Sequence, residues 1–266
     1  MAKKKILIFT DLDGSLLDKE TFKFDVIKDY FKELVRNGII IIPNSSKTEA
    51  ELLDFNEQND LDLSFITENG SSIHGLNKIH QNLPDKIIMS RTIDEIRNIY
   101  KTNISLDFKN KTTHILELEI EVQQKILGLP LDKIKLAIKR DHSLPIKFNG
   151  TEIEKYEFTK ILKNSGLTIQ TGGRIMNVCD NVNKSIAMSK ALQLIRKQLD
   201  DEIITIGVGD NENDIEMIKQ TDYPCLVKND NFDSSLINID NLIKSSKPSP
   251  LGWADVIKTA IQKIES

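Results

Sequence analysis

The chain has 266 residues and a net charge of −4, with 39% hydrophobic and 29% charged residues and dispersed lysines and arginines. This composition is typical of a globular protein and argues against a nucleic-acid-binding domain, and no segment approaches the roughly 18 apolar residues that span a bilayer. Two cysteines without CxxC spacing argue against a disulfide framework or a zinc site, so we expect a cytoplasmic protein of one or two domains, with no prediction of its oligomeric state.

The first predicted element is a buried strand that ends in two carboxylates. The apolar run Ile6–Phe9 leads into Thr10 and then into Asp11-Leu12-Asp13-Gly14-Ser15. Short apolar runs of this kind predict strands buried in a parallel sheet, where working groups lie past the carboxyl ends. A divalent cation with oxygen ligands would compensate the two charges. A polar Asp-Gly turn without a function explains these residues equally well, so the rest of the chain must decide.

Strands and helices then alternate as far as residue 67. Apolar residues at helical spacing from Phe24 to Val35 predict a helix that ends at Asn37-Gly38. Ile39–Ile42 predicts a second strand, the capping box Thr48–Glu51 begins a second helix, and Phe65–Thr67 predicts a third strand. This order predicts right-handed crossovers and an α/β fold with a doubly wound parallel sheet.

A mixed α+β block follows from about Pro84. Apolar residues alternate with glutamates over Leu116–Val122, which favours a strand, whereas the residues up to Gly128 favour a helix, so both remain open here. We expect an inserted domain over residues 84–180, with the first domain formed by residues 1–83 and 181–266. The other elements predicted in the insertion are a helix after the capping box Thr92–Glu95, helices over Leu131–Arg140 and Tyr156–Asn164, and strands over Ile146–Phe148, Leu167–Thr171 and Arg174–Val178.

The alternating pattern then returns. Asn183 can cap a helix whose inner face runs from Ala187 to Leu199. The β-branched run Ile203–Val208 predicts a buried strand, and it ends in Gly209-Asp210-Asn211-Glu212-Asn213-Asp214. The remaining predicted elements are a helix from Ile215, a short strand over Cys225–Val227 and a final helix after Leu251-Gly252-Trp253.

Polar groups therefore stand at four strand ends that a parallel sheet would bring to one edge: Asp11/Asp13, Ser45, Asn69 and Asp210/Asp214. Two acidic clusters around one Mg²⁺ suit phosphoryl transfer, in which one carboxylate can attack phosphorus and another can move the proton. Ser45 and Lys184 could donate to the phosphoryl group. Each residue has a bland alternative, a capping serine, a solvated lysine or a polar turn. Their joint occurrence in this order favours the functional interpretation.

With these motifs the chain resembles the haloacid dehalogenase superfamily of phosphatases that use an aspartate nucleophile. Asp11-Leu12-Asp13-Gly14-Ser15, Ser45, Lys184 and Gly209-Asp210-x-x-Asn213-Asp214 match its four motifs in order. The resemblance implies that Asp11 is the nucleophile and Asp13 the general acid and base. It also implies that Mg²⁺ is held by Asp11, the backbone carbonyl of Asp13, Asp210 and Asp214, and that the inserted domain is a cap over the site.

A narrower resemblance is to the mannosyl-3-phosphoglycerate phosphatase branch, which acts on small phosphorylated glycosyl glycerates. It is carried by Ser45–Glu51, Glu68-Asn69-Gly70, Arg140-x-x-Ser143-x-Pro145, Gly172-Gly173-Arg174 and Pro250-x-Gly252-Trp253. The resemblance implies substrate contacts from residues on both domains: Lys47, Asn69, Arg140, Ser143 and Arg174.

Two departures from that branch leave the substrate open. Leu144 stands where an acidic residue is usual, and Ile175-Met176-Asn177 replaces a histidine and aromatic positions. Three alternatives follow: a phosphatase for another sugar phosphate such as a sucrose-phosphate-like ester, a phosphotransferase related to phosphomannomutases, and a catalytically silent sugar-phosphate-binding protein. The presence of both the nucleophile and the acid argues against the silent protein.

Overall fold

The computed structural model describes residues 4–172 and 175–266. Its main sheet has five parallel strands: β1 (Lys4–Thr10), β2 (Ile40–Pro43), β10 (Glu202–Gly209), β11 (Tyr223–Leu226) and β12 (Ile243–Lys244). Their spatial order is β12–β11–β10–β1–β2, so the two longest strands lie at the centre. The predicted parallel sheet is confirmed.

Helices cover both faces of this sheet because its central strands are apolar on both sides. They are α1 (Lys28–Arg36), α2 (Glu49–Asn59), α8 (Lys184–Arg196), α9 (Ile215–Lys219) and α10 (Leu251–Glu265). Ile8 packs in one cluster with Phe31 and Trp253, while Phe9 packs in the other with Ala191 and Met217. The doubly wound arrangement follows from this two-sided burial.

The third predicted strand, β3 (Phe65–Thr67), runs beside the end of β2 through a parallel bridge between Asn44 and Ile66. It also begins a three-stranded antiparallel sheet with β4 (Ser72–His74) and β5 (Lys86–Ile88), which the sequence did not predict. Between β3 and β4 the backbone turns tightly through Glu68, Asn69 and Gly70, which all have positive φ. We call this segment the Glu68–Gly70 turn.

A second, four-stranded antiparallel sheet is built from the block that follows. Its spatial order is β6–β7–β9–β8, with strands β6 (Thr112–His114), β7 (Ser143–Phe148), β8 (Thr168–Gly172) and β9 (Ile175–Cys179). Its helices are α3 (Ile93–Asn103), α4 (Leu106–Asn110), α5 (Ile120–Leu127), α6 (Leu131–Ala137) and α7 (Glu152–Asn164). Ile96, Phe158 and Val178 share a separate core, so this block buries its own apolar side chains.

The segment for which both a strand and a helix were considered forms a 3-10 turn over Ile115–Glu117, followed by the helix α5. The alternation of apolar residues and glutamates therefore does not reflect a strand. The division into residues 1–83, 84–180 and 181–266 stays a prediction. Within the described residues, no helix is both long and apolar enough to cross a lipid bilayer.

Candidate active site

The predicted strand ends meet at the carboxyl edge of the main sheet. The Asp11 amide donates to the carbonyl of Val208 at 2.9 Å, which extends the pairing of β1 with β10 by one residue. Ser45 follows β2 and is fully buried, and its carbonyl accepts the amide of Asn69 at 2.9 Å. The parallel register therefore brings residues from both ends of the chain to one place.

Three carboxylates form an acidic cluster at this edge. Asp11, Asp210 and Asp214 each offer an oxygen, and these atoms lie within 4.8 Å of one another. All three residues are at most 7% exposed. The Lys184 ammonium lies 2.5 Å from Asp11 Oδ1 and 2.7 Å from Asp214 Oδ1. One buried cation thus faces three buried acids.

Local structure holds Lys184 and Asp11 in place. Lys184 is the first residue of α8, whose N-cap Asn183 accepts the amide of Ile186 at 2.8 Å. Beside Asp11, the buried indole of Trp253 donates to Thr10 Oγ1 at 2.9 Å, and the Thr10 hydroxyl donates to the Asp11 carbonyl at 2.7 Å. The N-cap of α8 therefore fixes the backbone at Lys184, and Thr10 and Trp253 fix the backbone at Asp11.

Asp210 is held by two residues that the sequence analysis did not select. Ser15 Oγ donates to Asp210 Oδ1 at 2.9 Å, and Asn229 Nδ2 donates to Asp210 Oδ2 at 2.8 Å. Gly14 has φ +92°, and a Cβ at this position would lie 2.6 Å from Asp210 Oδ2. Ser15 follows the Asp-x-Asp-Gly run directly, a signal that could have identified it. Asn229 lies in a loop and carries no such signal.

Burial raises the pKa of two of the acids in this cluster, Asp11 and Asp210. Desolvation raises the pKa of Asp11 to about 8, with Asp214 and Asp210 adding to the rise and Lys184 opposing it. Desolvation likewise raises the pKa of Asp210 to about 6, with Asp214 adding to it. For Lys184, burial would lower the pKa, but the carboxylates of Asp11 and Asp214 outweigh this and raise it.

These residues fit a magnesium ion. Their donors are all hard carboxylate oxygens, three acidic side chains face a single buried lysine, and Gly14 adds no side-chain atom of its own beside Asp210. Asp11, Asp210 and Asp214 would hold the ion. The Asp13 side chain is not in this cluster, and the contribution of its backbone carbonyl stays a prediction.

We expect the folding stability of the metal-free protein to depend on pH because of the buried Asp11 carboxyl group. The pKa of Asp11 is about 8 in the folded chain against an ordinary value of 3.8, so the folded state binds a proton that the unfolded state has released. Folding stability therefore falls as the pH rises from about 4 to about 8. Asp11→Asn removes the cost of ionising this buried carboxyl group. In a chelator near pH 8 the thermal midpoint of the variant should therefore exceed that of the wild type by about 4 °C or more, since each kcal/mol of unfolding free energy shifts the midpoint by roughly 2–4 °C.

Scanning calorimetry of both proteins in EDTA, at about pH 5 and about pH 8, checks this expectation. Added MgCl₂ should then stabilise the wild type more than the variant, because ion binding to the folded state requires the carboxylate. A difference in midpoint that does not change with pH would contradict the assignment of the buried charge.

Asp13 lies outside the acidic cluster and has a different partner. Its Oδ2 is 2.8 Å from the Lys47 ammonium, which also lies 3.8 Å from Glu51 and 5.3 Å from the Phe22 ring centre. Burial would lower the pKa of Lys47, but Asp13 and Glu51 outweigh this and raise it. Asp13 Oδ1 is buried and has no hydrogen-bond partner within residues 4–172 and 175–266. The carboxylate thus has one free oxygen beside a cation.

Two of the predicted contacts from residues 84–180, Arg140 and Ser143, lie beside this part of the site. Arg140 Nη1 donates to the Ser46 carbonyl at 3.0 Å and to Ser143 Oγ at 3.2 Å. The Ser143 hydroxyl in turn donates to Glu68. The next residue in the sequence, Asn69, has a buried Oδ1 that has no hydrogen-bond partner in the described part of the chain. Arg174 lies outside the described residues. Glu68 belongs to the Glu68-Asn69-Gly70 motif but was not predicted as a site residue, because nothing near it in the sequence indicates its partners in the segment from Arg140 to Ser143.

Comparison with known proteins agrees with this geometry. Residues 8–245 match the family of haloacid dehalogenase-like hydrolases. A glucosyl-3-phosphoglycerate/mannosyl-3-phosphoglycerate phosphatase from Persephonella marina is 27% identical over 272 aligned residues, which cover 98% of each chain. A protein of the same name from Methanococcoides burtonii is 28% identical and covers 97% of this chain and 98% of its own.

Solved structures share the fold at lower identity. BT1666 from Bacteroides thetaiotaomicron, described among phosphatases of the haloalkanoate (HAD) enzyme superfamily, has a TM-score of 0.68 and 17% identity over 97% of this chain and 95% of its own. Protein 0175 from Thermoplasma acidophilum has a TM-score of 0.66 and 14% identity over 96% of this chain and 97% of its own. The family match spans most of the sequence, from the second half of β1 through β12, and we conclude that the chain belongs to the haloacid dehalogenase-like hydrolases, as a phosphatase.

Proposed function

We propose that this protein is a Mg²⁺-dependent phosphomonoesterase that hydrolyses mannosyl-3-phosphoglycerate or glucosyl-3-phosphoglycerate. The proposed reaction rests on the different surroundings of the two carboxylates in the Asp-x-Asp motif. Asp11 lies in the acidic cluster with Lys184, whereas Asp13 lies beside Lys47. The substrate class is supported by the near full-length similarity to two phosphatases of that name.

In the first step an Asp11 oxygen attacks the phosphorus and the bond from phosphorus to the ester oxygen breaks. Asp13 gives its proton to that oxygen, so the glycosyl glycerate leaves as an alcohol and the phosphoryl group remains on Asp11. Lys184 and Ser45 stabilise the transferred oxygens through their ammonium and hydroxyl donors. Bound Mg²⁺ supplies charge neutralisation for the phosphoryl oxygens.

In the second step water attacks the phosphorus while Asp13, now a carboxylate, takes its proton. The bond to Asp11 breaks and inorganic phosphate leaves, which regenerates both side chains. Oδ1 of Asp13 accepts no hydrogen bond within the described residues and Oδ2 is paired with Lys47, so the Asp13 carboxyl group has a cation beside it during both transfers. Lys47 and Arg140 place an ammonium and a guanidinium on this side of the site, and such groups can pair with a carboxylate on the substrate as well as with its phosphate.

A substrate panel tests the proposal. We expect kcat/KM for the two glycosyl-3-phosphoglycerates to exceed that for glucose 6-phosphate and sucrose 6-phosphate by about 10²-fold or more. The last two esters have no carboxylate to pair with Lys47 or Arg140, and a site rejects an analogue that leaves its buried charged groups unpaired. Phosphate release in MgCl₂ is the measurement, with Asp11→Asn as the control for contaminating phosphatase. Equal rates on all four esters would contradict the substrate class, and transfer of phosphate to added sugar would identify a phosphotransferase instead.

A further inference from the structure

The Glu68–Gly70 turn is anchored to the catalytic edge on several sides. The Glu68 amide donates to the Lys47 carbonyl at 2.9 Å, and the Asn69 amide donates to the Ser45 carbonyl at 2.9 Å. A Cβ on Gly70 would lie 2.2 Å from the Asn183 carbonyl oxygen, so the turn packs directly against the start of α8. Glu68 itself has φ +42°, a conformation that side-chain-bearing residues adopt rarely. The surrounding contacts therefore hold this residue in an unusual backbone geometry.

The Glu68 side chain points out of the core into the inserted domain. Its Oε1 accepts the amide of Asp141 at 2.9 Å and that of His142 at 3.3 Å. Its Oε2 accepts the hydroxyl of Ser143 and lies 3.9 Å from Arg140 Nη1. One carboxylate with 2% side-chain exposure thus contacts four successive residues of the other domain.

Those four residues include two of the predicted substrate contacts. Arg140 Nη1 reaches the Ser46 carbonyl at 3.0 Å, and Ser46 lies between Ser45 and Lys47 in the phosphoryl site. Ser143 is the first residue of β7, so its position also sets where that strand begins. A shift of the Arg140–Ser143 segment would move the guanidinium relative to the phosphoryl group.

We propose that Glu68 is a positioning residue that holds Arg140 and Ser143 at a fixed distance from the phosphoryl site. This inference rests on the proposed function, since it requires that these two side chains contact the leaving group. A carboxylate suits the task because both oxygens accept only, and the segment offers three donors. Glutamine would turn an amide toward one of them and leave it unpaired.

The test compares Glu68→Gln with Asp54→Asn. Asp54 pairs with Lys133 at 2.6 Å, a partly exposed ion pair that also joins the core helix α2 to the inserted-domain helix α6 but involves no site residue. Each variant is assayed with the panel substrate that the wild type prefers and with p-nitrophenyl phosphate, whose small leaving group needs no contact from the inserted domain. Hydrogen–deuterium exchange of peptides covering 139–145 reports on the segment itself.

We expect Glu68→Gln to lower kcat/KM for the preferred substrate by about 10²-fold, as a displacement near 1 Å can do, and to change p-nitrophenyl phosphate hydrolysis by less than about threefold. Exchange over 139–145 should accelerate. Asp54→Asn should leave both rates and that exchange unchanged. The ratio of kcat/KM for the preferred substrate to that for p-nitrophenyl phosphate should be partly restored in Glu68→Asp, which keeps two acceptor oxygens. Such a partial recovery would support a positioning role for Glu68 and argue against a general loss of the fold.

Equal losses on both substrates, or no change on either, would overturn the inference. If Glu68→Gln fails to fold, Glu68→Asp tests the same point, because it moves both acceptor oxygens back by one methylene and should slow the preferred substrate more than p-nitrophenyl phosphate; unchanged rates on both substrates in that variant would also overturn the inference. The preferred substrate is chosen on the wild type first, so a failure of the proposed substrate class appears before any variant is compared.

Discussion

Asparagine in place of Asp11 is expected to lower phosphate release on the order of 10⁴-fold or more, the scale on which enzymes lose activity with their nucleophile. The amide oxygen is a poor nucleophile, and the variant also loses one of the three acidic ligands within 4.8 Å. Lys184 keeps Asp214 at 2.7 Å as a partner, so the fold should survive. Steady-state phosphate release in MgCl₂ is the measurement.

A matched control separates chemistry from charge. Asp25→Asn makes the same substitution at an exposed position at the start of the 3-10 turn before α1, and it should retain wild-type turnover. Acid quench of the wild type during turnover should trap phosphate on the protein, and Asp11→Asn should trap none. Substantial Mg²⁺-dependent turnover by Asp11→Asn would remove Asp11 as the nucleophile.

Asp13→Ala is expected to reduce turnover of an alkyl phosphate by about 10²–10⁴-fold, the usual contribution of a general acid and base. Both steps should slow, because the same carboxyl protonates the leaving oxygen and later activates water. With p-nitrophenyl phosphate the leaving group needs little protonation. Rapid-mixing experiments should therefore show a burst of p-nitrophenol followed by slow turnover.

The burst distinguishes the role of Asp13 from a role in metal binding, because a variant that had lost the metal would slow both steps for both esters. Lys47→Met removes the partner at 2.8 Å but keeps the carboxyl, so it should produce no comparable burst. Wild-type turnover by Asp13→Ala would contradict the acid and base assignment.

Local sequence signals predicted the catalytic edge well because they depend on neighbouring residues. The capping boxes of Thr48 with Glu51 and of Thr92 with Glu95 both form, and each begins a helix at the expected residue. The apolar run before Asp11 is buried on both faces, as its lack of alternation indicated. Thr151 and Glu154 form a third capping box that begins α7 earlier than predicted, and this signal was present in the sequence.

Short and exposed elements were harder to predict. The strands β4 and β5 have three residues each, too few for a periodic pattern to show. Gln123 is the one residue of the helix α5 that is buried. Because the helix has no buried apolar face, its sequence shows no clear apolar periodicity. Elements of this kind are fixed by their neighbours in space more than by their own residues.

Long-range contacts could not be predicted from the sequence. Glu68 meets Asp141, His142 and Ser143 more than 70 residues later, and nothing local to either segment indicates the other. Lys47 was expected at the substrate, yet its nearest partner is Asp13. The motifs identified which residues share the edge, but their pairing depends on contacts between segments that are far apart in the sequence.

The hydrogen-bond path from Trp253 through Thr10 to the Asp11 carbonyl gives the chain an internal optical reporter. Trp253 is the single tryptophan in the sequence, is fully buried and lies two hydrogen bonds from the residue proposed to carry the phosphoryl group. Indole emission responds to the polarity and charge around the ring. We therefore expect the fluorescence of the unlabelled protein to follow ion binding and phosphorylation at Asp11 in real time, without an added dye or a coupled assay.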